Sequence, residues 1–386
     1  MQEMKTNNNY SSSTSQTLQI LNKLISFPST TPLGKDCLQY IGDEILRPLG
    51  FKVEIVPVRD AFFMYAKIGN QGTNFCFSGH VDVVSPGDLS QWDNSPFEMH
   101  TKNGNVYGRG VCDMKGGIAC FLSATIDHVD QYIKSGNSLS FLITTDEERP
   151  GITVMKDAVE YLQNKNEQID MCLIGEPTGI EKACDALKIG RRGSITFEIA
   201  ISGKQGHVAN EGSFDNPNTV LMQILNELKF QNLDKGNDYF PPSNLEIVQI
   251  CSGSGSFNVV PAKATATVNI RFNNEQTFEK LEQRVNKICN KFSKDFTINT
   301  KKGNINYISV NKILMSKIVK ILKAENKIVN INCNGGTSDG CYLSLHCTDI
   351  VEIGLNDQTS HQVNEHSSIA DIDNLTQLFK SLLKSF

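Results

Sequence analysis

Apolar positions in the first fifty residues recur with a helical spacing. Leu18, Leu21, Leu24 and Ile25 share one face, and Pro28 closes the run. Cys37, Tyr40, Ile41, Ile45 and Leu49 predict a second helix closed by Gly50. The pattern then changes to short, continuous apolar runs, each delivering the chain to a polar cluster. Residues 75–77 lead to Ser78, Gly79 and His80; residues 139–145 lead to Asp146, Glu147 and Glu148; residues 171–174 lead to Gly175 and Glu176. A helical stretch over residues 114–133 lies between the first two. Buried strands alternating with helices predict an α/β domain with a mixed, mostly parallel sheet and helices on both faces. In such sheets ligands gather at the carboxyl ends of strands, where these polar residues fall.

After about residue 192 the period becomes two. Ile195, Phe197, Ile199 and Ile201 alternate with polar neighbours, as do Ala264, Ala266, Val268 and Ile270. Helical patterns at residues 218–230 and 278–292 accompany these strands and predict a smaller α+β insert. From about residue 305 helix and strand patterns resume, with a strand at 350–353 and a terminal helix over 371–386 carrying Asp373 near its N-cap. The expected organisation is a polar, disordered extension over 1–16, a catalytic domain over 17–191 and 305–386, and an inserted domain over 192–304.

Composition narrows the function classes. The chain has 386 residues and a formal net charge of −5, so no basic excess is available for nucleic acid. No uninterrupted apolar stretch approaches the ~18–20 residues of a membrane span. Eleven cysteines, none in a CxxC pair, mostly sit inside apolar runs, a usage that suits a reducing, cytoplasmic setting. With seven histidines in the chain, the position of each carries information.

Taken singly, the candidate residues have ordinary readings. His80 and Asp82 in GHVDVV fit a loop histidine with a partner. Asp113 in GRGVCDMKGG fits an N-cap. Residues 146–148 of TTDEERPG fit a solvated turn, and Glu176 in GEPT fits an exposed loop. SHQVNEH adds His361, with Glu365 and His366 nearby. Together they place one His, one Asp and two Glu at separate strand ends, plus a late His. Four or more carboxylates in one cleft without cations would raise their pKa values and cost stability. The set therefore points to two bound divalent metals. Imidazole and carboxylate donors without thiolate suit zinc, with cobalt or manganese also compatible.

GHVDVV, GRGVCDMKGG, TTDEE, GEPT, RRGS, GKQGHVA, GGTSD and SHQVNE, in this order, resemble the co-catalytic di-zinc aminoacylase/carboxypeptidase family from about residue 17 to the C-terminus. The resemblance implies His80 and Glu176 on one metal, Glu148 and His361 on the other, and Asp113 bridging. It implies Glu147 as general base, Asp82 as orienter of His80, and His207 reaching into a neighbouring subunit's site in a homodimer. Outside the family, His207 reads as a turn histidine. The implied reaction is hydrolysis of a small dicarboxylate amide, with Arg191, Arg192, Ser194, Asn258, Arg271 and Thr337 lining the substrate pocket. RRGS and GGTSDG narrow the resemblance to the branch that removes a succinyl group. Deacetylation, or glutamate release by a carboxypeptidase, stays open within the family. A non-catalytic binding relative would have lost ligands or base, and all seven positions are filled. One departure is Asp357, beside Asn356, where the branch carries Asn; an anionic Asp suits an ammonium better than a carboxylate.

Overall fold

The structure is a computed structural model that describes residues 12–149, 151, 153–253, 255–310 and 312–386. The principal strands are β1 (Lys52–Val58), β2 (Ala61–Ile68), β3 (Asn74–His80), β4 (Ser138–Thr144), β5 (Met171–Ile174) and β6 (Ala186–Lys188). They continue as β7 (Gly193–Ser202), β8 (Asn244–Ser252), β9 (Lys263–Phe272), β10 (Phe296–Lys302), β11 (Asn330–Asn332) and β12 (Ile350–Glu352). The principal helices are α1 (Ser12–Ile25), α2 (Gly116–Lys134), α3 (Met155–Asn164), α4 (Pro217–Phe230), α5 (Phe278–Phe292), α6 (Ile313–Ala324) and α7 (Ile369–Lys384). Among the described residues they form two compact units: one takes in 12–190, 309–332 and 338–386, the other 191–308 and 333–337.

The larger unit holds an eight-stranded sheet in the order β1-β2-β4-β3-β5-β12-β6-β11. Its centre is parallel: β3 pairs in parallel with β4 and β5, and β5 with β12. Every residue of β3, β4 and β5 is buried, which explains why these strands read as continuous apolar runs. Their common core is aromatic. Phe77 of β3 stacks on Phe121 of α2 at 4.4 Å between ring centres. Phe141 of β4 and Phe379 of α7 approach Phe121 edge-on at 5.5 and 5.4 Å. Gly117 lets α2 lie against the chain after β5, where a Cβ would meet the Gly175 carbonyl oxygen at 2.4 Å.

The smaller unit is an antiparallel sheet, β8-β9-β7-β10, covered by α4 and α5. Ile195, Phe197, Ile199 and Ile201 point inward along β7, and Ala264, Ala266, Val268 and Ile270 do so along β9. Here period two in the sequence becomes one buried face.

Several details differ from expectation. Residues 12–16 open helix α1, whereas residues 1–11 of the expected extension lie outside the described residues. Buried Thr14 and Thr17 bond Asp373 (2.6 Å) and Thr376, so polar residues in this stretch dock onto α7. Residues 333–337 belong to the smaller unit; a five-residue excursion carries no periodicity that would reveal it. The last helix begins two residues earlier than expected and is capped by Ser368, whose hydroxyl accepts from Asp371 N–H at 2.9 Å. Asp373 lies inside it.

Phe121→Ala should cost about 3–5 kcal/mol of stability through lost transfer energy and a cavity. Equilibrium denaturation of the variant against wild type measures it.

Candidate active site

Strand β3 ends on His80, which is 1% exposed. Its Nδ1 faces the main-chain oxygen of Asp82 at 2.9 Å, leaving Nε2 directed at Asp113 Oδ1 (3.2 Å) and Glu176 Oε1 (3.6 Å). The other Asp113 oxygen, Oδ2, lies 3.2 Å from His361 Nε2, and that nitrogen is 2.8 Å from Glu148 Oε1. Two donor groups result, His80–Asp113–Glu176 and Asp113–Glu148–His361, each with its ligand atoms within 4.8 Å of one another. Asp113 is shared between them.

Local structure explains how one carboxylate can serve two sides. Asp113 sits in a tight turn over Val111–Lys115, entered through Gly110 at φ 87° and leading into α2; the Asp113–Met114 peptide is cis. His361 is held at φ 64°, a left-handed conformation that costs a non-glycine residue about 1–3 kcal/mol and that the surrounding contacts must fix. Gly354 permits the segment after β12 to pass Glu176, whose carbonyl oxygen a Cβ there would meet at 2.3 Å.

Asp82 is fully buried, and its role is wider than the HxD spacing suggests. Its carboxylate lies 3.5 Å from His80 Nδ1 but accepts the main-chain N–H of Glu147 (3.3 Å) and Glu148 (3.1 Å). One buried carboxylate thereby sets both the imidazole and the adjacent glutamate pair. The three successive acids of TTDEE also divide. Asp146 turns inward to accept Val154 N–H at 2.9 Å, and burial pushes it up to about 6. Glu148 faces His361. Burial and the neighbouring Glu176 push Glu147 well above the ordinary carboxylate range.

The charges of the cluster are strongly linked. Burial opposes ionisation of Asp113, yet the His361 and His80 imidazoles hold its carboxyl well below the usual range. Bonding to Asp113 and Glu148 lifts His361 to about 10. Burial works against a charged His80, and Asp113 and Asp82 outweigh it, holding the ring well above its ordinary value. Imidazoles that attract protons this strongly, with carboxylate oxygens converging on their Nε2 atoms, form a donor set that divalent cations fit.

The remaining predicted residues lie in the smaller unit. His207 Nε2 lies 3.3 Å from Asn258 Nδ2, and its Nδ1 accepts from Ala209 N–H at 3.2 Å. Ser194 faces Arg271 across β7 and β9, with Asn244 of β8 on the other side of Arg271. Arg192 donates to Asn244 Oδ1 at 2.8 Å, and buried Arg191 donates to the Gly336 carbonyl at 3.3 Å, beside half-buried Thr337. Burial, then the charge of Arg271, lowers Arg192. Asp357 is exposed, and its N–H donates to the Gly179 carbonyl. His366 stacks on Tyr107 at 4.7 Å and joins neither donor group. Sequence reasoning missed Asp339, which accepts from Thr144 (3.1 Å) and Thr153 (3.0 Å) and which burial pushes up to about 7. It also assigned nothing to Glu365 and Arg109.

A carboxylate shared between two His–Glu pairs, at the carboxyl edge of a largely parallel sheet, is the donor arrangement of a dinuclear metal-dependent hydrolase. Residues 76–385 match the model of peptidase family M20/M25/M40, and the chain belongs to that family. It is 40% identical over 377 residues to the succinyl-diaminopimelate desuccinylase of Wolbachia pipientis subsp. Culex pipiens (strain wPip), covering 96% of this chain and 93% of the relative. It is 39% identical over 372 residues to the enzyme of the same name from Rickettsia bellii (strain OSU 85-389), covering 94% and 95%. Its fold superposes on the YXEP protein of Bacillus subtilis, described as a dinuclear metal binding peptidase from the M20 family. That TM-score is 0.71 at 13% identity, over 96% of this chain and 97% of that one.

Asp339 supplies a pH test. Its folded-state pKa of about 7 exceeds the ordinary 3.8, so the folded state holds its proton more tightly. The stabilisation is complete below pH 3.8 and is lost as pH rises through 7. In chelator-treated protein, Asp339→Asn should raise the denaturation midpoint over wild type at pH 8, and the difference should shrink towards pH 4.

Proposed function

We propose that the protein is a metal-dependent amide hydrolase that converts N-succinyl-LL-2,6-diaminoheptanedioate and water to succinate and LL-2,6-diaminopimelate, a step of lysine biosynthesis. The observation that carries this reading is Asp113, whose two oxygens face separate His–Glu pairs, in a chain of this family with desuccinylase relatives. His80 and Glu176 would hold one cation, Glu148 and His361 the other, and Asp113 both. When bound, two divalent ions, best zinc for this donor set, would supply Lewis acidity towards water and the amide carbonyl.

The chain's own groups perform the rest. Glu147 accepts the proton of the attacking water and later returns it to the departing amine. The burial that raises its pKa suits both directions of that transfer. Asp82 orients His80 and, through two N–H bonds, keeps Glu147 and Glu148 apart in function. Arg191, Arg192 and Arg271 pair with substrate carboxylates, with Ser194, Asn258 and Thr337 completing the contacts. His207 stabilises the developing oxyanion in the site of a second subunit. Free cysteines throughout the described residues favour a reducing, cytoplasmic location.

The homodimer is supported by the smaller unit's sheet edge. On β8, an edge strand, Val248 and Ile250 are 65% and 59% exposed, and Met222 of α4 is 70% exposed. An apolar sheet edge of this kind calls for a partner.

Zinc-loaded protein should release succinate from the succinylated substrate faster than it releases acetate from the acetylated analogue. Chelation should abolish turnover and zinc should restore it. Glu147→Gln should lower kcat by about 10²–10⁴-fold while both metals remain bound. Turnover in metal-free protein, or an unimpaired variant, overturns the mechanism. Mixing inactive Glu147→Ala and His207→Ala proteins tests the shared site. Subunit exchange should restore part of the activity, because one site of each mixed dimer is whole; a mixture that stays inactive places His207 in its own subunit's site.

A further inference from the structure

Glu365 is fully buried, and its side chain receives four hydrogen bonds. Oε1 accepts from the N–H of Cys112 (2.8 Å) and Asp113 (3.2 Å). Oε2 accepts from Gly110 N–H (3.0 Å) and Arg109 Nη1 (2.7 Å). Its main-chain oxygen takes Gly108 N–H at 3.0 Å. One residue therefore gathers nearly the whole segment that presents Asp113. Arg109, 2% exposed, continues the link: Nη2 points to the main-chain oxygens of Ser85 (3.4 Å) and His361 (3.5 Å), and its guanidinium lies 5.2 Å from the Trp92 ring. The Cys112 thiol, 3.1 Å from the His366 carbonyl, ties the same two segments again.

The pair thus spans the two chain segments, 108–113 and 361–366, that supply Asp113 and His361. The other three donors are placed differently: His80 ends β3, Glu148 follows β4, and Glu176 follows β5. A short strand, His366–Ser368, pairs with Asn105–Tyr107 just outside these segments. Residues 108–113 and 361–365, which set the distance between Asp113 Oδ2 and His361 Nε2, lie in no strand.

We propose that Glu365 and Arg109 are positioning residues that set the second metal position, that of Asp113, Glu148 and His361, and hence its occupancy and kcat. The proposal rests on the two-metal reading above. Glu365→Gln keeps an oxygen acceptor but loses the charge that faces three N–H groups and a guanidinium. The pair acts through the ligands and touches neither metal nor substrate, so the expected effect is that of an outer-shell partner, about 10–100-fold in metal affinity.

The test is metal stoichiometry by equilibrium dialysis with elemental analysis, together with kcat and KM across a zinc titration, for wild type, Glu365→Gln and Arg109→Lys. Wild type should hold two zinc ions. The variants should hold the second about 10–100-fold more weakly and the first, which shares only Asp113 with the perturbed segments, less affected, with KM unchanged and kcat recovered by excess zinc. Arg109→Lys leaves the three main-chain donors of Glu365 in place, so it carries the test where Glu365→Gln fails to fold. Two zinc ions bound with wild-type affinity and an unaltered zinc dependence of kcat in the folded variants overturn the proposal. Fewer than two in wild type itself overturns the two-metal reading instead.

Discussion

The constraint on which the larger unit depends is the crowding of acidic groups at the carboxyl edge of its parallel strands. Asp82, Asp113, Asp146, Glu147, Glu148, Glu176, Asp339 and Glu365 all belong to this unit, and most are buried. An isolated buried carboxylate is expensive, and each neighbour adds repulsion. The fold answers with a different partner for nearly every one. Asp82 takes two peptide N–H groups, Asp146 the N–H of Val154, Asp339 two threonine hydroxyls, Glu365 three N–H groups and a guanidinium, and Asp113 two imidazoles. At Glu147 burial and like charge prevail, which is why its pKa rises where that of Asp113 falls. Consecutive acids at 146, 147 and 148 thus acquire three environments from a single turn, because Asp82 fixes the peptide plane on which they hang.

The crowding also explains the architecture around the site. Inside the sheet a buried polar side chain such as Ser140 is satisfied by another, Asn74. His80, Glu148 and Glu176 instead come at or after the strand tips, whose places the aromatic core of Phe77, Phe121, Phe141 and Phe379 fixes. Two ligands, His80 and Glu176, therefore sit on or beside elements whose positions follow from sheet pairing. Asp113 and His361 come from irregular backbone, and irregular backbone needs its own hydrogen bonds. Removing one member of a buried ion pair such as Arg109–Glu365 commonly costs about 3–5 kcal/mol, since it strands the other charge. The intact pair links the irregular backbone around Asp113 to that around His361, beyond the short strand pairing at 105–107 and 366–368.

Much of this was legible in the sequence. The apolar runs predicted β3, β4 and β5, and their last residues pointed at His80, Glu147, Glu148 and Glu176. The alternation over Ile195–Ile201 and Ala264–Ile270 gave the paired strands of the smaller unit. What was not legible has a common cause: partners far apart in the chain. Arg109 and Glu365 are 256 residues apart, and neither falls at a position whose periodicity marks it as buried. Thr14 looked like part of a polar extension because its packing partner is the last helix, and Ser368 rather than Asp373 is the cap because helix α7 starts at the end of the short strand His366–Ser368. Residues 333–337 change unit without changing composition.

The HxD spacing shows how far a local reading goes and where it stops. Two residues apart on an extended strand would put both side chains on one side, with the carboxylate gripping the ring. The chain leaves β3 at His80, so Asp82 is no longer on that strand. Its main-chain oxygen takes the grip at 2.9 Å, and the carboxylate, displaced to 3.5 Å, becomes available to the turn at 147–148. A carboxylate spent wholly on the ring would leave the half-buried N–H groups of Glu147 and Glu148 without this acceptor. The two tasks are compatible only because the strand ends where it does, so the length of β3 is itself part of the site.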